Sequence, residues 1–389
     1  MGDVSITVNG NQFLGWKEVT IQRSLQSLCG TFSLSYTDAW DYTNPKPLNF
    51  VSSQRNLTGK KWYLQSGDFC QVAIDGQVVL TGFIDEIESS IEATTRSFNV
   101  SGRDLTGDLV DCAASTTDFE TWRNLTLPQI ANVICKKFGI SVVVEAPIGE
   151  KFRSISSTGE SAHEIIDRCA RQRGVLVITT EQGKLLLAMP AKASAGGSLI
   201  EGKNILSASL KADQKNRFST YYVYGQAHGD GLVYGDAARK IKQTATDEVI
   251  TRYRPKVIIN DDSSSNIEAQ KRAQWEATHN AAKGTQVTVQ SLGWRIGPTK
   301  SDALWKINTL VDVKLPSIGI EGTLLIEGVT LRLNASGEIA ELQLTRSDAW
   351  QPNPVVKKEK SLDLELPKLP STKSQAPSTL LERAKGLVP

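Results

Sequence analysis

The stretch VAIDGQVVL (72–80) sets Asp75 and Gly76 between two apolar runs. Two residues that tolerate positive φ, flanked by alternating hydrophobics, leave the chain one local solution: a β-hairpin with a tight primed turn. The rest of the first hundred residues keeps the same period of two. Val4, Ile6 and Val8 alternate with polar neighbours before Asn9 and Gly10. TFSLSY (31–36) sets Phe32 and Leu34 against Thr31, Ser33 and Ser35, and RSFNVSG (96–102) alternates again. Short strands with turn signals and no helical period predict a small barrel or sandwich over residues 1–105. Residues 37–62, rich in Asn, Pro and Ser, read as a long loop.

Past residue 111 the period lengthens. In LTLPQIANVICKKFGI, Thr126 can cap a helix, Pro128 fits its first turn, and Leu127, Ile130, Ile134 and Phe138 make one apolar stripe ending at Gly139. Strand ISVVVE (140–145) follows. Ser161 and Glu164 have capping-box spacing at the start of a second helix that closes near Gly174. VLVITTEQGKLLLAM (175–189) reads as a hairpin, and AKASAGGSL (191–199) as a small-residue linker. Residues 106–199 are therefore expected to form a mixed α/β domain.

From residue 200 strands return in FSTYYVYG (218–225), TQVTVQSLGW (285–294), TLVDVKLP (309–316), TLLIEGVTLRLN (323–334) and EIAELQLTR (338–346). They predict a second β domain over 200–350, carrying an inserted loop and helix at 226–284. Residues 351–389, rich in Pro and Lys with little periodicity, read as an extended arm. The fold class is mainly β with α+β insertions. TGFIDEIESSIEATTRSFNVSGRD (81–104) is echoed by TLLIEGVTLRLNASGEIAELQLTRSD (323–348). Each has a strand with an Ile–acid pair, a hairpin, a second strand, then Arg and Asp. If the echo is structural, two related β domains flank the mixed one.

Chemistry is sparse. The net charge of +2 gives no electrostatic reason to expect nucleic-acid binding, which usually shows a concentrated basic patch. Five scattered cysteines without a C-x-x-C pair argue against a disulfide framework or structural zinc. The N-terminus lacks the signal-peptide pattern and no run approaches ~18 apolar residues, so the chain is expected to be soluble and made inside the cell. His163, His228 and His279 lie apart with no motif around them, and GQAHGDGLVYGD (225–236) follows a strand without opening an apolar helix, so it reads as a loop. No catalytic residue, cofactor or metal is expected. The eight tryptophans suit core or interface use better than sugar binding.

SGRDLTGDLVDCAAS (101–115) is the one suggestive cluster. Asp104, Asp108 and Asp111 have i, i+4, i+7 spacing that could gather carboxylates on a helix face. The simpler reading makes Gly102, Arg103 and Asp104 a domain boundary. Gly102 permits a sharp exit, Asp104 caps a short helix, and Leu105, Leu109 and Val110 face inward.

SGRDLTGDLVDCAAS, NRFSTYYVYGQA (216–227) and TRYRPKVII (251–259) together resemble the baseplate hub family of Mu-like contractile phages, in order over about residues 1–350. The resemblance implies a fold shared with T-even phage hubs and the N-terminal part of type VI secretion spike proteins. It implies two tube-protein-like β-barrels per chain with the mixed domain between them, and a homotrimeric ring. Such a ring would join a trimeric tail spike to the sixfold tail tube, nucleate the tube, contact neighbouring baseplate proteins and pass phage DNA through its bore without specific binding. The place implied is the virion's tail baseplate, assembled in the bacterial cytoplasm, with no membrane anchor. Pro352, Pro354, Lys357, Lys358, Leu364, Leu366 and Pro367 are the proposed docking residues of the arm. The alternatives are a type VI spike-like hub component, a tail-associated cell-wall hydrolase acting through the aspartates, or a glycan-binding adhesin.

Overall fold

Asp75 and Gly76 take φ of 49° and 79°, as the tight turn requires. The hairpin they close belongs to a sheet far larger than either segment alone could supply. The computed structural model describes residues 3–39, 51–52, 64–92, 94–115, 121–147, 149, 151–157, 159–191, 194–225, 241–260 and 266–350. The first segment forms β1 (Val4–Val8), β2 (Asn11–Leu14), β3 (Glu18–Ser24), β4 (Thr31–Ala39), β5 (Val51–Ser52), β6 (Phe69–Ile74), β7 (Gln77–Ile91) and β8 (Thr95–Asp104). The middle forms α1 (Gly107–Asp111), β9 (Thr121–Leu125), α2 (Leu127–Lys137), β10 (Val142–Val144), β11 (Phe152–Ser156), α3 (Ala162–Arg173), β12 (Leu176–Thr179) and β13 (Leu185–Ala188). Then come β14 (Ser194–Ile200), β15 (Ile205–Ala212), β16 (Thr220–Gly225), β17 (Ile241–Thr246), β18 (Pro255–Asn260) and α4 (Asn266–Lys283). The last strands are β19 (Thr285–Leu292), β20 (Leu310–Leu315), β21 (Ile320–Asn334) and β22 (Gly337–Thr345).

The sequence pointed to two separate β domains. Among the described residues no closed barrel is found; strands of both segments run into one 14-stranded sheet, ordered β15-β19-β22-β21-β3-β4-β8-β7-β6-β1-β2-β5, with β20 beside β21 and β14 beside β20. A single apolar cluster serves both segments, holding Ile6, Ile21, Phe32 and Ile84 with Val287, Trp294, Ile326 and Leu342. The physical cause lies in β21. Its outer edge pairs with β20 up to Leu325, and after a bulge between Ile326 and Gly328 it pairs with β3, from Gly328 opposite Ser24 to Leu333 opposite Val19. An extra residue at a bulge bends the strand, so one long strand can serve two partners on one edge.

The echo noted in the sequence is structural. β7 has its own bulge between Ile84 and Glu86 against β8, matching the one between Ile326 and Gly328 against β22. In each case the extra residue is the acid, Asp85 or Glu327, and the side-chain alternation flips there. Ile84 and Ile87 consequently both reach the core, as do Ile326 and Val329. The likeness extends to six strands in the same chain order and the same sheet order: β3-β4-β8-β7-β6-β1 and β15-β19-β22-β21-β20-β14. The last pair differs in sense, since β1 runs antiparallel to β6 and β14 parallel to β20.

Where the first unit turns from β3 to β4 through residues 25–30, the second inserts β16–β18 and α4. The inserted strands form their own sheet, β17-β16-β18, with Ala269 and Ala273 of α4 packed on Val223. The sequence reading placed only a strand, a loop and a helix there; β17 and β18 went unread, as did β15. Part of the expected linker 191–199 is β14. The loop portion 226–240 and the arm 351–389 lie outside the described residues.

The mixed region follows its punctuation closely. Thr126 N–H donates to Gln129 Oε1 (2.9 Å) at the start of α2, Ser161 and Glu164 bond reciprocally (2.8 and 3.2 Å) at the start of α3, and Gly174 ends α3 at φ 64°. Leu127, Ile130 and Ile134 join Ile165 and Leu185 in a core of their own. β12 and β13 form the expected hairpin, with β10 added in parallel to β13.

Trp294, 1% exposed, donates its indole N–H to Arg332 O at 2.9 Å inside the shared core. Trp294→Ala is expected to cost about 3–5 kcal/mol. Because the core is shared, hydrogen exchange should show the loss of protection in β3 amides of the first segment as well as in β21.

Candidate functional site

Sequence spacing left open that Asp104, Asp108 and Asp111 converge, beside the simpler reading that sets Asp108 and Asp111 on the exposed side of a short helix. The three do not converge. Asp104 ends β8 and is buried, while Asp108 and Asp111 are exposed on α1. Asp111 is held by Arg103, whose guanidinium reaches Asp111 Oδ2 and Asp85 Oδ2 at 2.8 Å each; those carboxylates raise the guanidinium's pKa. Among the described residues no three His, Cys, Asp or Glu side chains gather where a metal ion could be held.

Asp104 has a different task from the one the sequence suggested. The cap residue of α1 is Thr106. The Asp104 carboxylate instead accepts from Gly30 N–H (2.6 Å), Thr106 N–H (2.9 Å) and the Thr106 hydroxyl (2.5 Å). Burial pushes the Asp104 carboxyl up, and these donors together with Arg23 pull against it without cancelling the effect. Val110, expected to face inward, is exposed, whereas Leu109 is fully buried. Within α1 the buried positions are Gly107 and Leu109.

From Thr106 the polar contacts continue across the boundary. Its hydroxyl lies 3.0 Å from that of Thr179, which donates to Leu28 O at 2.7 Å. Arg23 of β3 bonds to Thr179 O and pairs with Glu181 at 3.5 Å, and Lys306 reaches Glu181 at 2.9 Å. The Thr81 hydroxyl donates to Glu181 O at 3.0 Å. One polar network therefore ties the first sheet segment, the mixed region and the loop before β20 together. Gly102 sits where β7 and β8 approach: a Cβ there would lie 2.1 Å from Phe83 O and 2.8 Å from the Phe32 ring.

The other candidates are structural or unplaced. His163 and His279, remote in sequence, line the same cleft of about 720 Å³ between α3 and α4, a juxtaposition that only the fold creates. His279 stacks on Trp275 with centroids 4.5 Å apart, and burial together with Lys283 pushes its pKa down to about 4. It is a neutral packing residue at physiological pH. Trp16, Trp122, Trp294 and Trp305 are buried. All five cysteines are free, and burial pushes the Cys70 and Cys135 thiols up to about 12. His228, Trp40, Trp62 and the arm residues Pro352, Pro354, Lys357, Lys358, Leu364, Leu366 and Pro367 lie outside the described residues.

A doubled six-strand unit tied to the mixed region by a polar network, with Asp104 and Asp111 taken up by structural bonds, defines a scaffold. Solved structures place it among phage tail proteins. The 43 kDa tail protein of prophage MuSo2 from Shewanella oneidensis superposes at a TM-score of 0.76 with 32% identity, over 90% of this chain and 99% of that one. A tail protein from Neisseria meningitidis gives 0.73 at 23% identity, over 90% and 98%. The fold alone extends to an Escherichia coli component of the type VI secretion system, TM-score 0.50 at 10% identity, over 90% and 79%.

Residues 3–104 match the N-terminal region of the Mu phage baseplate assembly protein GpP-like family. Residues 106–189 match the second domain of the gp44-like baseplate hub proteins. Residues 217–275 match the third domain of NMB1110-like tail proteins, and 265–353 the fourth domain of the GpP family. The baseplate hub protein gp44 of Escherichia phage Mu is 34% identical over 342 residues, 85% of this chain and 84% of its own length. The chain belongs to the Mu-type baseplate hub family, whose members are structural components of the virion tail, not enzymes.

Two substitutions probe the boundary. Gly102→Ala is expected to destabilise by about 1–3 kcal/mol through overpacking. Asp104→Ala leaves buried donors unmet, at about 1–3 kcal/mol. The folded carboxyl titrates above its unfolded value, so its contribution is fully present below the unfolded value and is lost as pH rises through the folded one. Urea titrations should therefore show a larger cost of Asp104→Ala in acidic buffer than at neutral pH.

Proposed function

We propose that three copies of the chain form a ring at the centre of a contractile-tail baseplate, adapting a threefold spike to the sixfold tail tube. The observation that carries this reading is the doubled six-strand order within one chain. Three chains supply six like units for a pseudo-sixfold face, whereas the mixed domain and the insert occur once per chain and keep a threefold face. On this reading the two units are the tube-protein-like barrels of the ring wall, and the first tube ring is nucleated on their exposed strands. The spike attaches to the other face, and DNA crosses the bore without specific recognition, in keeping with a net charge of only +2.

The proposed domain limits are 1–105, 106–199 and 200–350, β14 reaching back across the second limit, with the 351–389 arm docking on neighbouring baseplate proteins through Pro352, Pro354, Lys357, Lys358, Leu364, Leu366 and Pro367. Gly102, Arg103 and Asp104 mark the first boundary. A hub component of a type VI system would share the fold, but the 34% identity to the Mu hub favours the phage reading. A cell-wall hydrolase needs free carboxylates, and Asp104 is occupied by three donors.

Native mass spectrometry with low-resolution imaging of the full chain is expected to give a trimer with a central bore. A monomer that persists with the spike protein present, or a solid particle, would sink the ring. Truncation before Gln351 is expected to leave the trimer intact and weaken binding to neighbouring baseplate proteins; unchanged binding would remove the docking role of the arm.

A further inference from the structure

The two six-strand units are alike in order, but their edges are not equally used. In the second unit, β21 beyond its bulge is covered by β3. In the first, the equivalent stretch of β7, from Glu86 to Ile91, pairs with β8 on one side and with no strand on the other among the described residues. Its outer edge is covered only as far as Ile84, where Asp68 and Gly67 bond to it, just as Thr309 and Asn308 bond to Ile326. The converse vacancy lies at the end of the sheet. β15 takes in the second unit the place of β3 in the first; β3 is covered by β21, but among the described residues β15 pairs only with β19.

We infer that the outer edge of β7 takes up β15 of a second copy of this chain, repeating between molecules the ladder that β21 and β3 make within one. The inference rests on the ring reading above and names the strands that would close the ring. The internal repeat also fixes the register. Pairing runs Ile84–Gly102–Phe32–Ile21 across the first unit and Ile326–Leu344–Val287–Leu210 across the second, so Leu210 occupies the position of Ile21. Within the chain Leu331 faces Ile21. Counting on from the bulges, Ser89 occupies the position of Leu331. Between copies, Ser89 then lies opposite Leu210, Glu88 opposite Lys211, Ser90 opposite Ser209 and Ile91 opposite Ala208.

Three features agree with that register. Glu88 and Lys211 become a directly opposed charge pair on one face of the ladder. Ile91, 68% exposed, and Leu210, 39% exposed, fall together on the opposite face, the one that continues the shared core. Carboxylates at Glu86, Glu88 and Glu92 keep two β7 edges from pairing with each other while admitting a lysine-bearing strand, the way natural edges select partners. The contact is head-to-tail, since one copy's first unit meets the next copy's second unit, and a head-to-tail contact closes into a ring when the rotation allows. Every chain would then contribute one internal junction and one external junction of the same kind.

Charge reversal in the full-length chain tests it. E88K and K211E, both at exposed positions, are each expected to raise the protein concentration for half-assembly by about tenfold in sedimentation velocity, and the double variant to restore it to within about threefold. As a second reading, S89C mixed with L210C is expected to give disulfide-linked dimers on oxidation, with each single variant alone as the control for the native thiols. A ring that forms normally but ignores both reversals and does not cross-link overturns the strand assignment and leaves the ring standing. A wild-type chain that never assembles, with spike and tube proteins added, overturns both.

Discussion

The ladder between β3 and β21 is the contact on which the rest of the molecule depends. It exists because one residue too many, Glu327, bends β21 away from β20 and frees its edge for a strand from the opposite end of the chain. Six cross-strand pairs then place Val19 and Ile21 against Leu331 and Leu333, and burying each such side chain contributes about 1.5–3 kcal/mol. Without that bend the two halves would each carry an unfinished sheet and an uncovered apolar face. With it, they share one core.

The mixed region is held in register with this sheet by the polar contacts around Asp104, Thr106, Thr179, Arg23 and Glu181. Such a network confers orientation at a modest net gain, because desolvation offsets much of the attraction. That suits a scaffold. The demand on a hub is that its parts keep fixed relative positions. A family of structural tail proteins is consistent with a chain in which Asp104 and Asp111, two of its three suggestive aspartates, are held in hydrogen bonds and an ion pair.

Local features of the fold were readable in the sequence. Asp75–Gly76 specified its turn, Thr126 and Ser161 specified their helix starts, and the Ile–acid echo marked both bulges, although only pairing partners could show that they were bulges. What escaped was decided at a distance. ILSASLKA reads as polar because β15 sits at a sheet end with most of its side chains in water. AGGSL reads as a linker because β14 carries little bulk and draws its pairing from β20, more than a hundred residues on. The boundary site was half legible: Gly102 and Asp104 stood out and Thr106 lies two residues on, but Gly30 is brought to Asp104 only by the β4–β8 pairing. His163 and His279 meet at one cleft for the same kind of reason, and nothing near either one in the chain foretells it.

The fusion of the two halves also carries a cost in time. Val19–Ser24 leave the ribosome early, whereas Gly328–Leu333, which cover them, follow about three hundred residues later. At ~5–20 residues per second the edge of β3 waits on the order of tens of seconds for its partner. Over that interval a nascent chain on a polysome presents an uncapped strand to its neighbours, each of which holds the same strand open. Synthesis of this protein therefore leaves the edge of β3 open to mispairing until β21 has been made.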